Sequence, residues 1–482
     1  MSNPLTASDE HGLRGLSLDG QLRRAFFDLP TSAIWQLAER MPGAARKNGL
    51  VYFRDGVEDV INVFLRPTGI FPEQLNYFHT VSLTLQEVLK RVPDWYLENE
   101  EVRKIVPLDP DHEAWLRETW TPAHSNGNCV FGRLDAMADF TSPAWKDTFM
   151  FVEPNLVGVG GISLIPGAER SVMNLVYPAL KRFTPELNLE ANEDCEDLFL
   201  REMQDQLELI GRSGGTIAFC DAKYSGDGPA EFQTLADYCV SRGQNAIYCD
   251  PTELEMRNVN GQPEAFYQGA QVDVVYRDYD TRDYIALRDE GGDPDLAKLM
   301  FKRNQMVSSM AGDFDHKSTF ELLTDPRFSH FFTTGERQLL RRHLLWTRLL
   351  NPRKTADFTG EEVDLFEFAR AHRDQLVIKP NRSYGGDRVY IGSATSAGDW
   401  DAALHTAAQE PDEWVAQKLA IVTAYEFPVV ETDRSVSTQP FYVVFGFAPT
   451  KYGTAILGRA SQKQVVNVAQ KGGICVVLVG KH

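Results

Sequence analysis

A chain of 482 residues and 54.3 kDa has room for about three domains, at ~150 residues each, or for one large core with insertions. With 43% apolar and 24% charged residues, it is neither disordered, collagen-like nor a coiled coil. The net charge of −19 repels phosphate backbones and anionic headgroups, which weighs against nucleic acid or membrane as a partner. An anionic substrate would then need a local cluster of Lys and Arg. The six cysteines form no CxxC pair, and the polar start has no apolar leader segment, so a reducing cytoplasm is the expected compartment.

In chain order, residues 1–125 read as mainly helical. AIWQLAERM and TVSLTLQEVLKRV carry helical apolar spacing, and VYFRDG reads as a strand turning at Asp-Gly. No catalytic pattern stands out, and the region reads as a packing or dimerisation part. Residues 126–212 begin with two strands, CVFGRLDAMADF and TFMFVEPN, followed by helices over SVMNLVYPALKRF and LFLREMQDQLELIGR. Residues 213–282 alternate strand, helix and strand with short turns, which predicts a small parallel α/β domain. In residues 283–482, RQLLRRHLLWTRLL and DLFEFARAHRDQ are expected helices. QLVIKPN, RVYIGS, EWVAQKLA, FYVVFGF, TAILGRA and ICVVLVG are expected strands.

Three segments carry chemistry. In LVIKPNRSYGGDRVYIG, a strand ends at Lys379 and Pro380, and a loop with Gly385 and Gly386 follows. A glycine pair lets backbone N–H groups approach a ligand, and Lys379 and Arg382 add positive charge. The same pattern also fits an ordinary hairpin with a solvated lysine. In FVEPNLVGVGGIS, Glu153 and Asn155 are two apart at a strand end and share a face. Their oxygens are hard ligands of the kind Mg²⁺ prefers. Arg133 and Asp135 repeat that spacing on the neighbouring strand, so Asp135, Glu153 and Asn155 can converge on metal. The alternative is strand-end carboxylates satisfied by local N–H groups. In GRASQKQVVNVAQKGGICVVLVG, Arg459 and Asn467 precede another Gly-Gly pair; its plain reading is a basic turn.

Together these segments resemble the ATP-grasp superfamily, and within it the circularly permuted ligases related to glutathione synthetase and glutathionylspermidine synthetase. VEPNLVGVGGIS is similar to the acid–x–Asn…Gly-Gly metal segment of eukaryotic-type glutathione synthetases. GRLDAMADF is similar to the Arg-x-Asp strand of glutathionylspermidine synthetases. VDVVYRDYD looks like the strand that ends the permuted α/β domain. MVSSMAGDFDHKSTFELLTD resembles the stretch where a lysine, here Lys317, contacts ATP phosphates. WVAQKLA sits where the family's hinge strand binds adenine. The likeness covers about Cys129 to the C-terminus, in family order.

The resemblance implies an α/β (α+β) ATP-grasp fold with an inserted parallel α/β domain. It implies ATP and Mg²⁺, with two ions, as cofactors, and small carboxylate and amine molecules as substrates. Asp135, Glu153 and Asn155 would hold the metal. Lys317, Lys379 and Arg382 would face the phosphates beneath the loop from Ser383 to Asp387. The backbone of Ala416, Gln417, Lys418 and Leu419 would meet adenine. Arg133 would meet the transferring phosphoryl group, Arg459 the acid's carboxylate, and Ser163 and Asn467 the substrate pocket. Two departures stand out: Ser383 occupies the position of the lid's metal-binding Glu, and TQPFYVVFGF shows no ribose-binding acid. The implied reaction is ADP-forming amide-bond synthesis through an acyl phosphate. The alternatives are a nucleotide-binding scaffold without catalysis and a kinase-like phosphotransferase.

Overall fold

A computed structural model describes residues 15–226, 228–383, 388–421, 423–462 and 472–481. Gly385, Gly386 and Asn467 lie outside them. The site depends on three sheets, whose strands and helices are labelled here in chain order. The first holds β1 (Arg133–Met137) and β2 (Met150–Asn155). The second, parallel, sheet holds β3 (Ile217–Cys220), β4 (Ala246–Cys249), β5 (Val274–Arg277) and β6 (Met306–Val307). The third holds β7 (Thr347–Leu349), β8 (Leu376–Pro380), β9 (Tyr390–Ile391) and β10 (Trp414–Lys418). The chain then returns to the first sheet with β11 (Ala424–Val430), β12 (Val436–Thr450), β13 (Gly453–Ser461) and β14 (Gly473–Cys475).

The first sheet is antiparallel, in the order β14-β13-β12-β1-β2, with β11 also on β12. One half of the long β12 pairs with β11 and the other half with β1, placing Gly446 opposite Asp135. Period-two alternation sorts this sheet cleanly. Leu134, Ala136, Phe445, Phe447 and Ile456 enter a core with Phe78, Phe140, Phe149 and Phe151. Arg133, Asp135, Glu153, Asn155 and Arg459 fall on the opposite face. The helix Pro72–Leu89 covers the apolar face, and the strand Thr68–Ile70 pairs with Val477–Val479 near the other end of the chain. The N-terminal region is thus woven into the same core as the sheet.

The parallel sheet has the order β6-β5-β3-β4. Helix α1 (Glu231–Ser241) connects β3 to β4, and a three-stranded antiparallel excursion (residues 255–272) precedes β5. The third sheet, β7-β10-β8-β9, is antiparallel. It has its own small core of Leu365, Phe368, Leu376, Ile378, Trp400, Trp414 and Ala416 beneath two helices. The Asp-Gly turn is a two-residue hairpin, with Arg54 opposite Val57 and positive φ at Asp55 (50°) and Gly56 (73°), as a type I′ turn requires.

Two expected helices differ. SVMNLVYPALKRF is split at Val176 between the helices Leu164–Leu175 and Tyr177–Phe183. Pro178 sits in the first turn of the second, where its missing N–H costs nothing. RQLLRRHLLWTRLL stays helical only to His343, and Thr347–Leu349 is a strand on β10. Edge pairing there overrides helix propensity. The expected strand RVYIGS shrinks to Tyr390–Ile391. All six cysteines are buried thiols. Among the described residues no helix is long and apolar enough to cross a membrane.

Candidate functional site

Register builds the first half of the site. Arg133 lies opposite Asn155 and Asp135 opposite Glu153, with a β-bulge just after Asp135. Asp135 is enclosed, 1% exposed. Its Oδ1 accepts from Arg133 Nε at 3.0 Å. Its Oδ2 accepts from an Arg459 terminal nitrogen at 2.5 Å and from Asn155 Nδ2 at 3.2 Å. Burial works against this carboxylate, yet Arg133 and Arg459 outweigh it and hold its pKa below the ordinary value. Arg133 also donates to the Gly160 carbonyl. Gly446 lies beneath it, since a Cβ there would meet Arg133 Cδ at 2.5 Å.

The bulge builds the second half. Phe151 pairs with Ala136 and Glu153 with Asp135, so Val152 has no partner on β1. The carbonyl of Val152 instead accepts from Lys379 Nζ and from Gln417 Nε2, both at 3.1 Å. Bulges interrupt a ladder and free such groups. Lys379 and Gln417 lie on the face of the third sheet opposite Ile378 and Ala416, so the same alternation that builds the small core aims them at the first sheet. Lys317 arrives from a loop fastened to β8: its N–H donates to the Asn381 carbonyl at 3.1 Å, and Ser318 N–H donates to Asn381 Oδ1 at 2.9 Å. Lys317 Nζ donates to the Ser383 carbonyl at 2.9 Å. Both ammonium groups flank Glu153 Oε2, Lys317 at 3.5 Å and Lys379 at 3.9 Å. Burial lowers the Lys379 pKa to about 8; Glu153 pulls it up, and Lys317 pushes it further down.

Arg133, Asp135, Glu153, Asn155, Lys317, Lys379 and Arg459 are thus brought together. Arg382 points elsewhere, its guanidinium 3.8 Å from Asp109. Ala416 and Gln417 are central in the third sheet, with strands on both sides. The N–H groups of Lys418 and Leu419 donate to the Trp346 and Gln375 carbonyls at 2.8 and 2.7 Å. Ser163 is buried at the start of the helix Leu164–Leu175.

Sequence reasoning missed Glu231. This buried carboxylate, at the first position of α1, accepts from Gly161, Ser163 and Leu164 N–H at 2.7, 2.9 and 3.3 Å. The N–H groups of Gly161, Ser163 and Leu164 are therefore taken by the protein itself. Burial raises the pKa of Glu231 despite these three bonds and Arg133. Nothing in EFQTLADY marks that glutamate, because its partners lie about seventy residues upstream.

The donor set partly suits a hard cation. Glu153 is the accessible carboxylate, its side chain 30% exposed, and it shares the face with Asn155. Asp135 has both oxygens committed to guanidinium and amide groups. Among the described residues no group of three or more His, Cys, Asp or Glu is arranged to hold a metal. The two lysines suit an anion: both side chains are under 10% exposed, and each lies beyond close contact with the carboxylate between them.

The fold is similar to that of a solved glutathione synthetase-like protein. It overlays the apo form of a glutathione synthetase-like effector from Globodera pallida with a TM-score of 0.62, across 93% of this chain and 98% of that one, at 12% identity. A candidate gamma-glutamylcysteine synthetase from Methylobacillus flagellatus overlays loosely, with a TM-score of 0.37 over 83% of this chain and 87% of that one, at 11% identity. No protein-family model matches the sequence, and no curated protein matches it.

Proposed function

We propose that the chain is an ATP-dependent carboxylate–amine ligase of the circularly permuted ATP-grasp kind. The observation that carries this reading is the convergence of Lys317, Lys379, Arg133 and Arg459 around Glu153 and Asp135. A protein of net charge −19 has gathered buried cations where an anion would need them. The glutathione synthetase-like fold supports it, as does the chain order of the motifs.

Phosphoryl transfer asks mainly for positioning and charge neutralisation. Lys317 and Lys379 neutralise the phosphates, and Arg459 holds the acid's carboxylate. Arg133, braced by Asp135 and Gly160, meets the transferring group. A carboxylate oxygen forms a bond to the γ-phosphorus as its bond to the bridging oxygen breaks, and ADP departs. The amine's lone pair then attacks the acyl carbon, the bond to phosphate breaks, and the amine's surplus proton leaves with the phosphate or to solvent. Glu153 and Asn155 would hold Mg²⁺, which would supply positive charge to offset that of the phosphates. Asp135 joins that set only if Arg459 releases it.

A second reading, a nucleotide-binding scaffold without catalysis, is favoured by one observation: both Asp135 oxygens are occupied by side chains of the chain itself. Screening amino acids and short peptides for phosphate release with ATP and Mg²⁺, in the presence of hydroxylamine, separates the readings. A ligase gives hydroxamate from the acyl phosphate. Phosphorylated product without hydroxamate identifies a kinase-like enzyme, and nucleotide binding with neither identifies the scaffold.

A further inference from the structure

A single peptide unit joins the first sheet to the parallel sheet. It lies in the loop between β2 and the helix Leu164–Leu175, where Gly160 is linked to Gly161. The carbonyl of this peptide accepts from a terminal nitrogen of Arg133, and its N–H donates to Glu231 Oε2 at 2.7 Å. The other oxygen of Glu231 accepts from Ser163 and Leu164 N–H at 2.9 and 3.3 Å. A peptide dipole is positive at its N–H and negative at its C=O. This one therefore lies with its charges matched, a carboxylate at one end and a guanidinium at the other. Each contact polarises the peptide in the sense that strengthens the other.

The loop needs such a grip. Gly161 has a φ of +114°, and a Cβ there would come within 2.9 Å of Leu457 Cδ2 on β13 and 3.9 Å of Arg133. Glycine lets the chain pass between them, but it brings more backbone freedom to be lost on folding. Glu231 supplies the order. Its carboxylate is enclosed, 4% exposed. Its place at the start of α1 is fixed by Phe232, Leu235 and Ala236, which enter the same core as Ile217 and Phe219 of β3. Arg133 in turn needs a second contact. One hydrogen bond from Nε to Asp135 leaves the guanidinium plane free to turn, and the Gly160 carbonyl stops it. We propose that Glu231 is the positioning residue for Arg133, acting through the Gly160–Gly161 peptide and coupling the parallel α/β unit to the site. The consequence for turnover rests on the ligase reading; the placement of Arg133 does not.

Glu231→Gln keeps the size of the side chain, but its amide nitrogen cannot accept, so one of the two grips on the loop is lost. In protein with ¹⁵N-labelled arginine, the Nε–H signals of Arg133 and Arg459 are assigned with Arg133→Lys and Arg459→Lys. In Glu231→Gln the Arg133 signal should shift and its proton exchange faster with water, while the Arg459 signal stays in place. Should that variant fail to fold, Glu231→Asp, which keeps the charge but withdraws it by one methylene, should give the same shift. Leu235→Ala loosens the packing of the same helix without touching the carboxylate. It should lower the denaturation midpoint and leave the Arg133 signal where it is. In an active enzyme, Glu231→Gln should reduce kcat by about tenfold or more, with the Michaelis constant for ATP little changed. A natural chain without turnover would sink the ligase reading and leave the Arg133 signal to decide the role of Glu231. The proposal is overturned if Glu231→Gln leaves the Arg133 signal unmoved, if Leu235→Ala moves it equally, or if an active enzyme keeps its kcat in Glu231→Gln.

Discussion

The two halves of the site hold their charges in opposite ways. Around Asp135, guanidinium and carboxylate meet at 2.5 and 3.0 Å. Around Glu153, two ammoniums stand off at 3.5 and 3.9 Å. Arginine's rigid fork suits a fixed, desolvated pair, whereas lysine's point charge on a flexible stem can shift its contacts. The first half is therefore a preset frame that depends on its own charges. The second is more loosely balanced, and on the proposed reading its two ammoniums form the receptor for an anion.

The largest expected effects separate frame from receptor. Asp135→Asn removes a buried carboxylate and leaves two largely enclosed guanidiniums poorly compensated, and should lower unfolding free energy by about 3 kcal/mol, measured by urea denaturation. Glu153→Gln should leave the midpoint nearly unchanged, yet reduce ATP-dependent turnover on the order of 10²-fold or more. If Glu153→Gln unfolds the protein and Asp135→Asn does not, the comparison is reversed.

Arg459 belongs to the frame but, on the proposed reading, also faces the acid. Arg459→Lys should raise that substrate's Michaelis constant by roughly tenfold to a hundredfold, with apparent ATP affinity barely altered. Loss of ATP affinity instead would assign Arg459 to the phosphates.

The smallest effect is a pH signature of the receptor. Folding lowers the Lys379 pKa to about 8, so between there and the ordinary lysine range the unfolded chain holds the extra proton. Stability from this group therefore rises with pH across that window. Nucleotide affinity should move the other way, falling by up to about tenfold per pH unit above 8 as the ammonium is lost. Lys379→Met should flatten both trends, monitored by denaturation and by nucleotide titration from pH 7 to 10. A profile unchanged by the substitution would show that Lys379 is not the titrating cation.

Much of this arrangement was legible in the sequence because strand alternation is local. Two-residue spacing placed Arg133 with Asp135 and Glu153 with Asn155 on one face, and the third sheet repeats the rule at Lys379. The strand–helix–strand pattern after Ser213 likewise announced the parallel sheet. What stayed hidden depends on partners far along the chain. Glu231 is one residue in an ordinary amphipathic helix until folding carries it to the Gly161 amides. His112 and His316 are unremarkable in sequence, and only packing encloses them completely. The strand at Thr347–Leu349 reads as helix because its pairing with β10 is non-local. Local sequence therefore determined which residues share a face and carry compatible chemistry. Tertiary structure decided which charges are committed to each other and which remain for a ligand, because desolvation and pairing depend on what the whole fold brings within a few ångströms.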